Sequence, residues 1–434
     1  MTPLDCALRC SLFAIAPFAA ACGAPSTAAP AAAAPSAVPV TENVREAEAR
    51  SAILVVVDSL GAESIRAELM PELTAFAQRG VSHEGRSVDS WALPVAASLL
   101  TGRTPRALGM GDHIDRVPPE PWMVQEHLKC AGFQTGFFAA NGYISEGFGF
   151  GRAWDRATNL IQEARASRAS DVLGETLAWI RAQGDARFFA YVHLLDPHVP
   201  YDPPEPFRPT GPGALLPAET GRWRSELEQG VRSASPEELL WVRALYDGEA
   251  RYVDHALGAF FEALEQDGSL DDTAVFVTST HSELGWLREF GGGSRNVDAP
   301  AVRAVPLIQV GPGAESHRAV SSESVPLLML DALGLDSEEA EERLGPSDEP
   351  ATAQCIAPTR EICFRLEQMG YASAAQCARC PAEVFGPCVP AVSGCVGATR
   401  DVCFALEQMG LATSEQCLAC PVVAPLPGHE CENA

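Results

Sequence analysis

Three runs of mainly apolar residues stand out along the chain, at 52–58, 187–194 and 273–279, and each ends in polar residues; the first is largely β-branched. Continuous runs of this kind form strands that are buried on both faces, as in a parallel sheet. Helical stretches, including 170–183 and 235–266, alternate with these runs. The alternation predicts an α/β fold in which a mostly parallel sheet carries helices on both faces.

Polar residues lie at the end of each predicted strand. Asp58 ends the first run, the segment 193–201 ends and follows the second, and the segment 280–283 follows the third. Ligands of open α/β sheets bind beyond the carboxyl ends of the strands. We therefore expect these three places to contribute to one site.

Composition divides the chain into five parts. They are a signal peptide (1–21), an Ala/Pro-rich tether (22–50), an α/β domain (51–335), an acidic linker (336–354) and two Cys-rich repeats (355–434). The tether contains no aromatic residue that could anchor a core, and the acidic run after 335 is typical of a domain boundary.

The N-terminal apolar run, residues 11–21, is too short to span a bilayer and is typical of an export signal. It ends in small residues before Cys22, which is similar to a bacterial lipoprotein signal in which Cys22 is lipidated. The alternative is an ordinary cleaved signal with an Ala-Xaa-Ala site. The lipoprotein interpretation predicts an exported protein whose lipid anchor binds a membrane: an outer-membrane lipoprotein, or a protein of the cell surface or periplasm.

The C-terminal part repeats itself every 40 residues, and 366–370 return as 406–410. Each copy is predicted to be a small helical hairpin stabilised by cross-links. Its cysteines are Cys355, Cys363, Cys377, Cys380, Cys388, Cys395, Cys403, Cys417, Cys420 and Cys431. Because export favours oxidation, we expect these ten to form five disulfides; zinc held by the two Cys-Xaa-Xaa-Cys pairs is the alternative. Cys130 is expected to be a buried core thiol.

Net charge narrows the choice of partners. The chain carries 57 acidic and 31 basic residues, and its formal net charge is −26. A chain this acidic binds phosphate backbones poorly, so we expect no nucleic-acid partner. With 47% hydrophobic and 20% charged residues, the composition is that of a soluble globular protein.

Four separated segments carry a resemblance to a known family. They are 55–60, 90–103, 189–201 and a pair of stretches between 246 and 283. The third contains Asp-Pro-His-Val-Pro-Tyr, and the last ends in Ser-Thr-His-Ser-Glu. In this order they resemble the sulfatase family of the alkaline phosphatase superfamily, and the chain is identified as a degenerate member of it.

The resemblance implies a divalent metal, calcium, zinc or manganese, with Asp58 and His281 as candidate ligands. It places Ala92 at the position of the nucleophile and Ala96 at that of a supporting basic residue, and Thr280 replaces an acidic ligand. A methyl group cannot attack sulfur or phosphorus. One carboxylate and one imidazole make a weak site for a hard cation, so the alternative is that no metal binds.

His198 and Tyr201 are candidates for contacting an anion. The alternative is that the prolines around them shape a rigid loop with an interior histidine. Three hydroxyls lie near the nucleophile position in sequence, on Ser90, Ser98 and Thr101, and we expect the last two to pack within a helix.

The replacements at Ala92, Ala96 and Thr280 predict a pseudoenzyme that keeps the fold for a binding or structural role. In addition, the segment 291–296 lacks the histidine or lysine that the resemblance implies there. One alternative is an active, metal-dependent sulfuric or phosphoric ester hydrolase with an atypical nucleophile or an activated water. Another is a surface interaction protein that acts through its Cys-rich repeats on a protein or glycan partner.

Overall fold

The computed structural model describes residues 48–111, 115–211, 213–291, 298–314, 316–335, 338–345 and Cys417. The predictions that concern the signal peptide, Cys22, the tether up to residue 47 and the other repeat cysteines lie outside these residues. So does the segment 292–297.

An eight-stranded sheet organises the described residues. Its strands are β1 (Ser51–Val57), β2 (Val81–Arg86), β3 (Gln134–Ala139), β4 (Arg156–Asn159), β5 (Phe188–Leu194), β6 (Thr273–Ser279), β7 (Ala304–Val310) and β8 (Ala319–Ser321). They lie side by side in the order β4-β3-β5-β1-β6-β7-β2-β8. Among them, β7 runs antiparallel to both of its neighbours, and the other pairs are parallel. The predicted mostly parallel sheet is confirmed.

The three apolar runs of the sequence become the adjacent central strands β5, β1 and β6, and every residue in these strands is buried. Successive side chains point to opposite faces of the sheet. Val55 and Val57 therefore lie in one core, while Leu54 and Val56 lie in the other. β-branched and aromatic side chains suit such a pleated surface, which explains the valines of β1 and the aromatic residues of β5.

Helices cover both faces of this sheet. They are α1 (Pro71–Ala77), α2 (Ala92–Thr101), α3 (Val124–Cys130), α4 (Ala169–Gln183), α5 (Thr220–Glu228), α6 (Pro236–Gln266), α7 (Glu283–Gly291), α8 (Pro300–Arg303), α9 (Val325–Ala332) and α10 (Glu338–Leu344). The helices α1, α4 and α6 pack on one face, and α2, α3, α9 and α10 pack on the other. None of the helices in this part of the chain combines the length and the apolar composition that crossing a bilayer requires.

The helix predicted at 235–266 is confirmed as α6, and its first turn explains where it begins. Ser235 Oγ accepts the N–H of Glu238 at 3.1 Å, and the Glu238 carboxylate accepts the N–H of Ser235 at 2.8 Å. Pro236 occupies the first helical position, where no N–H is needed. Farther along, α6 brings Tyr246 to the carboxyl edge of the sheet, where its hydroxyl donates to Ser59 O at 3.1 Å.

The helix α2 ends against α10. Its C-cap, Gly102, has a left-handed φ of 67°, and a Cβ placed there would lie 1.6 Å from Leu344 O. This part of the chain belongs to the segment 336–354, which is predicted to be an acidic linker. Within it, Ala340 and Leu344 of α10 are fully buried in the core that α2 also lines. This helix therefore packs onto the α/β fold.

Cys130, the last residue of α3, is half-buried and disulfide-bonded. The expectation of a buried core thiol is wrong, because α3 ends at the surface beside the exposed Lys129. Cys130 is the one cysteine between residues 23 and 354, so its partner belongs to a segment outside that range. Cys417 is disulfide-bonded as well, and its side chain is fully buried.

Candidate functional site

The carboxyl edge of the sheet brings Asp58, Thr280 and His281 together. Because β1 pairs in register with β6, the residues that follow the two strands are neighbours. Asp58 Oδ1 lies 2.5 Å from Thr280 Oγ1 and 3.8 Å from His281 Nδ1. All three side chains are buried. The first part of the candidate site is thus a compact group beneath the protein surface.

Both carboxylate oxygens of Asp58 accept hydrogen bonds from the protein. Oδ1 accepts from the Thr280 hydroxyl, and Oδ2 accepts from Asn141 Nδ2 at 2.8 Å. His193 Nε2 lies 3.6 Å from Oδ2. Burial acts to raise the pKa of Asp58, but His193 and two further histidines outweigh it and hold that pKa below its usual range. The carboxylate is therefore ionised at neutral pH.

Asn141 is a site residue that the sequence analysis missed. Its Oδ1 accepts the N–H of Tyr143 at 2.9 Å, which orients the amide so that Nδ2 faces Asp58. Asn141 follows β3, and the sequence of that strand, Gln-Thr-Gly-Phe-Phe-Ala, contains only a short apolar run. A search for long apolar runs therefore overlooks the strand, and with it the edge position that could have identified Asn141.

The Thr280 hydroxyl determines what His281 Nδ1 does. The Thr280 hydroxyl donates its one proton to Asp58, so Thr280 Oγ1 accepts from His281 Nδ1–H across 3.0 Å. His281 Nε2 lies 3.3 Å from Ser59 Oγ and 3.7 Å from Glu283 Oε2. Ser59 has a φ of 66°, which is unusual for a non-glycine residue, and the hydroxyl of Tyr246 holds its carbonyl. Both nitrogens of His281 are therefore engaged.

Tyr201 contributes to a buried ion pair rather than to an open surface. Its hydroxyl donates to Glu283 Oε1, and Arg224 Nη1 donates to Glu283 Oε2 at 2.7 Å. Burial acts to raise the pKa of Glu283, but the Arg224 guanidinium outweighs it and lowers that pKa to about 2. Tyr201 is fully buried. In this arrangement the Tyr201 hydroxyl is bound to Glu283 inside the protein.

His198 is half-buried at the same edge. Its Nδ1 lies 2.6 Å from Val199 O, so Nδ1–H donates to that carbonyl and Nε2 carries the lone pair. Burial lowers the pKa of His198, and Arg224 lowers it further, against the opposing effect of Asp58. A neutral imidazole offers an anion no charge, so His198 by itself makes a weak anion contact.

A cluster of two carboxylates around one arginine holds the loop that follows β5. Arg168 Nη1 lies 2.7 Å from Asp196 Oδ1 and 3.2 Å from Glu249 Oε1. Glu249 Oε1 also accepts the N–H of Asp202 at 2.8 Å. Burial and the nearby Asp196 raise the pKa of Glu249 to about 8, against the attraction of Arg168. The cluster therefore holds both ends of this loop, and its role is to position the loop.

The helix α2 begins at the expected nucleophile position but carries no nucleophile there. Ala92 is its first residue and is 6% exposed, while Ala96 is fully buried. The hydroxyls of Ser98 and Thr101 each donate to the carbonyl four residues earlier, at 2.9 and 2.7 Å. These two residues pack within the helix as expected. Ser90 lies just before the helix and is half-buried.

The profile of the family described as Sulfatase matches residues 50–326, which is more than half of the 434-residue chain. The chain belongs to the sulfatase family. An arylsulfatase of Clostridium perfringens (strain 13 / Type A) is 25% identical to this sulfatase-family chain over 133 residues. That match covers 27% of this chain and 28% of the relative, so the chain spans less than a third of the curated relative's length.

Solved structures place this sulfatase-family chain in the same fold. A phosphonate monoester hydrolase from Silicibacter pomeroyi gives a TM-score of 0.52 at 19% identity, covering 70% of this chain and 78% of that one. The phosphonate monoester hydrolase of Agrobacterium radiobacter gives 0.51 at 19% identity, covering 66% and 74%. A Vibrio parahaemolyticus protein in the alkaline phosphatase superfamily gives 0.50 at 17% identity, covering 71% and 72%. At these identities the likeness shows the fold alone.

Members of the sulfatase family typically use a divalent metal, and the described residues around Asp58 do not fit one. Both oxygens of Asp58 face N–H or O–H donors, and both nitrogens of His281 are engaged by hydroxyls. Thr280 offers a neutral oxygen, whereas hard cations favour several charged ones. Within the described ranges, no three or more His, Cys, Asp or Glu side chains are grouped so that they could hold a metal ion.

Proposed function

We propose that this sulfatase-family protein is catalytically inactive and keeps its fold for a binding or structural role. The observation that carries the proposal is the methyl group of Ala92 at the head of α2, where the family resemblance assigns the nucleophile. The two hydroxyls within α2 donate to carbonyls of their own helix and do not substitute for it. Loss of a nucleophile typically lowers the rate on the order of 10⁶-fold.

Burial of the remaining polar groups supports the same proposal. Asp58 and Thr280 are fully buried, and His281 is 3% exposed. A sulfate or phosphate ester has to reach the groups that stabilise its transition state. At this site those groups bind one another instead.

The test is hydrolysis of 4-nitrophenyl esters of sulfate, phosphate and phenylphosphonate by the full chain, with calcium, zinc, manganese or EDTA. We expect no release of nitrophenol above the buffer rate, because a nucleophile is missing. Turnover that is lost in Asp58→Ala but retained in Asp185→Ala would overturn the proposal. Asp185 is an exposed carboxylate just before β5, at the opposite edge of the sheet.

An active ester hydrolase is the second candidate, since Asp58 and His281 are retained at the carboxyl edge. The names of the relatives, an arylsulfatase and two phosphonate monoester hydrolases, suggest sulfuric, phosphoric or phosphonic esters as its substrates. It would need an atypical nucleophile, such as Ser90, or an activated water. The same assay decides between the two candidates.

We further propose that the protein is exported and held by a lipid on Cys22, as an outer-membrane lipoprotein or a protein of the cell surface or periplasm. The apolar run before Cys22 supports this. Cys22→Ala should lose incorporation of labelled palmitate and leave the membrane fraction, because stable anchoring requires the acyl chains. Cys10→Ala, a change within the signal peptide, is the control and should retain both properties. A Cys22→Ala variant that stays with membranes would contradict the proposal.

The Cys-rich repeats are proposed to be disulfide-bonded rather than zinc-binding. Cys417 belongs to one of the two Cys-Xaa-Xaa-Cys pairs and is disulfide-bonded, which removes a thiolate that a zinc site would require. A protein or a glycan remains the proposed partner of the exported chain.

A further inference from the structure

Protein donors approach the carboxylate of Asp58 from two directions. Asn141 Nδ2 donates to Oδ2 over 2.8 Å, and the Thr280 hydroxyl donates to Oδ1 over 2.5 Å. Both donors are themselves oriented: Asn141 Oδ1 accepts the N–H of Tyr143, and Thr280 Oγ1 accepts the N–H of Ser59 at 3.3 Å. Asp58 therefore faces hydrogen atoms on both oxygens.

A cation bound to Asp58 would need ligand lone pairs where the hydrogens of Asn141 and Thr280 now lie. Calcium takes about six to eight oxygen ligands and zinc about four ligands. Ala92 supplies no donor atom, and the lone pairs of Thr280 Oγ1 accept from Ser59 N and His281 Nδ1. Binding a metal would thus require several existing hydrogen bonds to break at once.

We infer that Asn141 and Thr280 replace the cation of the family's site, so that this protein folds and keeps the carboxyl edge of its sheet ordered with no metal bound. Asn141 follows β3 and Thr280 follows β6, which lie on opposite sides of β1 in the sheet. The two hydrogen bonds to Asp58 therefore connect the segments that follow β3 and β6, on either side of β1 at the carboxyl edge of the sheet. The inference builds on the proposed function but can fail separately from it.

The first measurement uses the full chain. We expect elemental mass spectrometry to find no stoichiometric metal in the purified protein. We also expect its unfolding temperature to be the same in EDTA, calcium, zinc and manganese, because a ligand that binds the folded state would raise it. Stoichiometric metal in the wild type, or an unfolding temperature that falls in EDTA, would overturn the inference.

Variants at Thr280 give the converse test. Thr280→Asp places a second carboxylate beside Asp58, so the unfolding temperature should fall in EDTA and recover when a cation is added. Thr280→Ser keeps the donor and should behave as the wild type does. The matched control is Thr278→Val, on the strand that precedes Thr280, which loses a hydroxyl bond to Pro306 O. Its unfolding temperature should fall by the same amount in EDTA and in metal.

A further variant keeps the test decisive if Thr280→Asp does not fold. Asn141→Ala removes one donor without adding a charge, so its lower unfolding temperature should not respond to any of the metals. Recovery of Asn141→Ala by a metal would contradict the inference. Ester hydrolysis that persists in EDTA would overturn the proposed function alone, whereas bound metal without hydrolysis would overturn this inference alone.

Discussion

At the scale of single residues, the carboxyl edge of the sheet contains several buried polar groups that are hydrogen-bonded to one another. Asp58, Thr280, His281 and Glu283 all have specific hydrogen-bond partners. Burying a polar group is costly only when it lacks such a partner. These residues can therefore contribute to stability at the carboxyl edge of the sheet.

The pair between Arg224 and Glu283 provides a test at this scale. Removing one partner of a buried ion pair typically costs about 3–5 kcal/mol, so Arg224→Met should destabilise the protein by that order. Arg222 lies on the same helix but is 84% exposed and pairs with Glu226, so Arg222→Met should cost less than about 1 kcal/mol. Unfolding in urea measures both losses. Equal losses would show that the buried pair has no special role.

Sequence reasoning found some residues of this site and not others, for a physical reason. Asp58 and His281 sit next to long apolar strands and within recognisable motifs. Arg224 and Arg168 do not: they act on carboxylates 59 and 81 residues away along the chain, Glu283 and Glu249. Pairings at that separation depend on the tertiary fold, and no local pattern indicates them.

At the scale of elements, some strands are marked by a local sequence pattern and others are not. Strands β1, β5 and β6 are buried on both faces and are visible as apolar runs. The strand β2 has the sequence Val-Ser-His-Glu-Gly-Arg and exposes alternate residues, so no apolar run marks it. The strand β7 contains Pro306, which argues against a strand when only the sequence is known.

Packing of α2 against α10 is testable through a pair of glycines. Gly102 and Gly132 both have left-handed φ angles, so alanine at either position should cost roughly 1–2 kcal/mol. A Cβ at Gly132 has nothing within 4 Å, whereas one at Gly102 would lie 1.6 Å from Leu344 O. Gly102→Ala should therefore lose a further ~1–3 kcal/mol, as overpacked sites do. Urea unfolding compares the two variants, and equal losses would refute this packing of α10.

At the scale of the whole molecule, the disulfide at Cys130 changes what the cysteine count implies. Removal of the signal peptide and lipidation of Cys22 would leave eleven of the fourteen cysteines, which are Cys130 and the ten in the repeats. An odd number cannot pair completely within one chain. Because Cys130 is bonded, its partner in the mature chain would be a repeat cysteine, and the five bridges expected within the repeats could not all form.

This reasoning predicts that a disulfide fastens the Cys-rich repeats to the α/β domain. Peptide mapping without reductant should find the Cys130 peptide bonded to one from 355–431, together with one alkylatable thiol per chain. A protease cut within 346–354 should leave the two parts joined in the wild type until reductant is added, since thiol exchange then opens the bridge. In Cys130→Ser the same cut should separate them at once. Separation of the wild type without reductant would contradict the prediction, because no covalent link would then remain between the two parts.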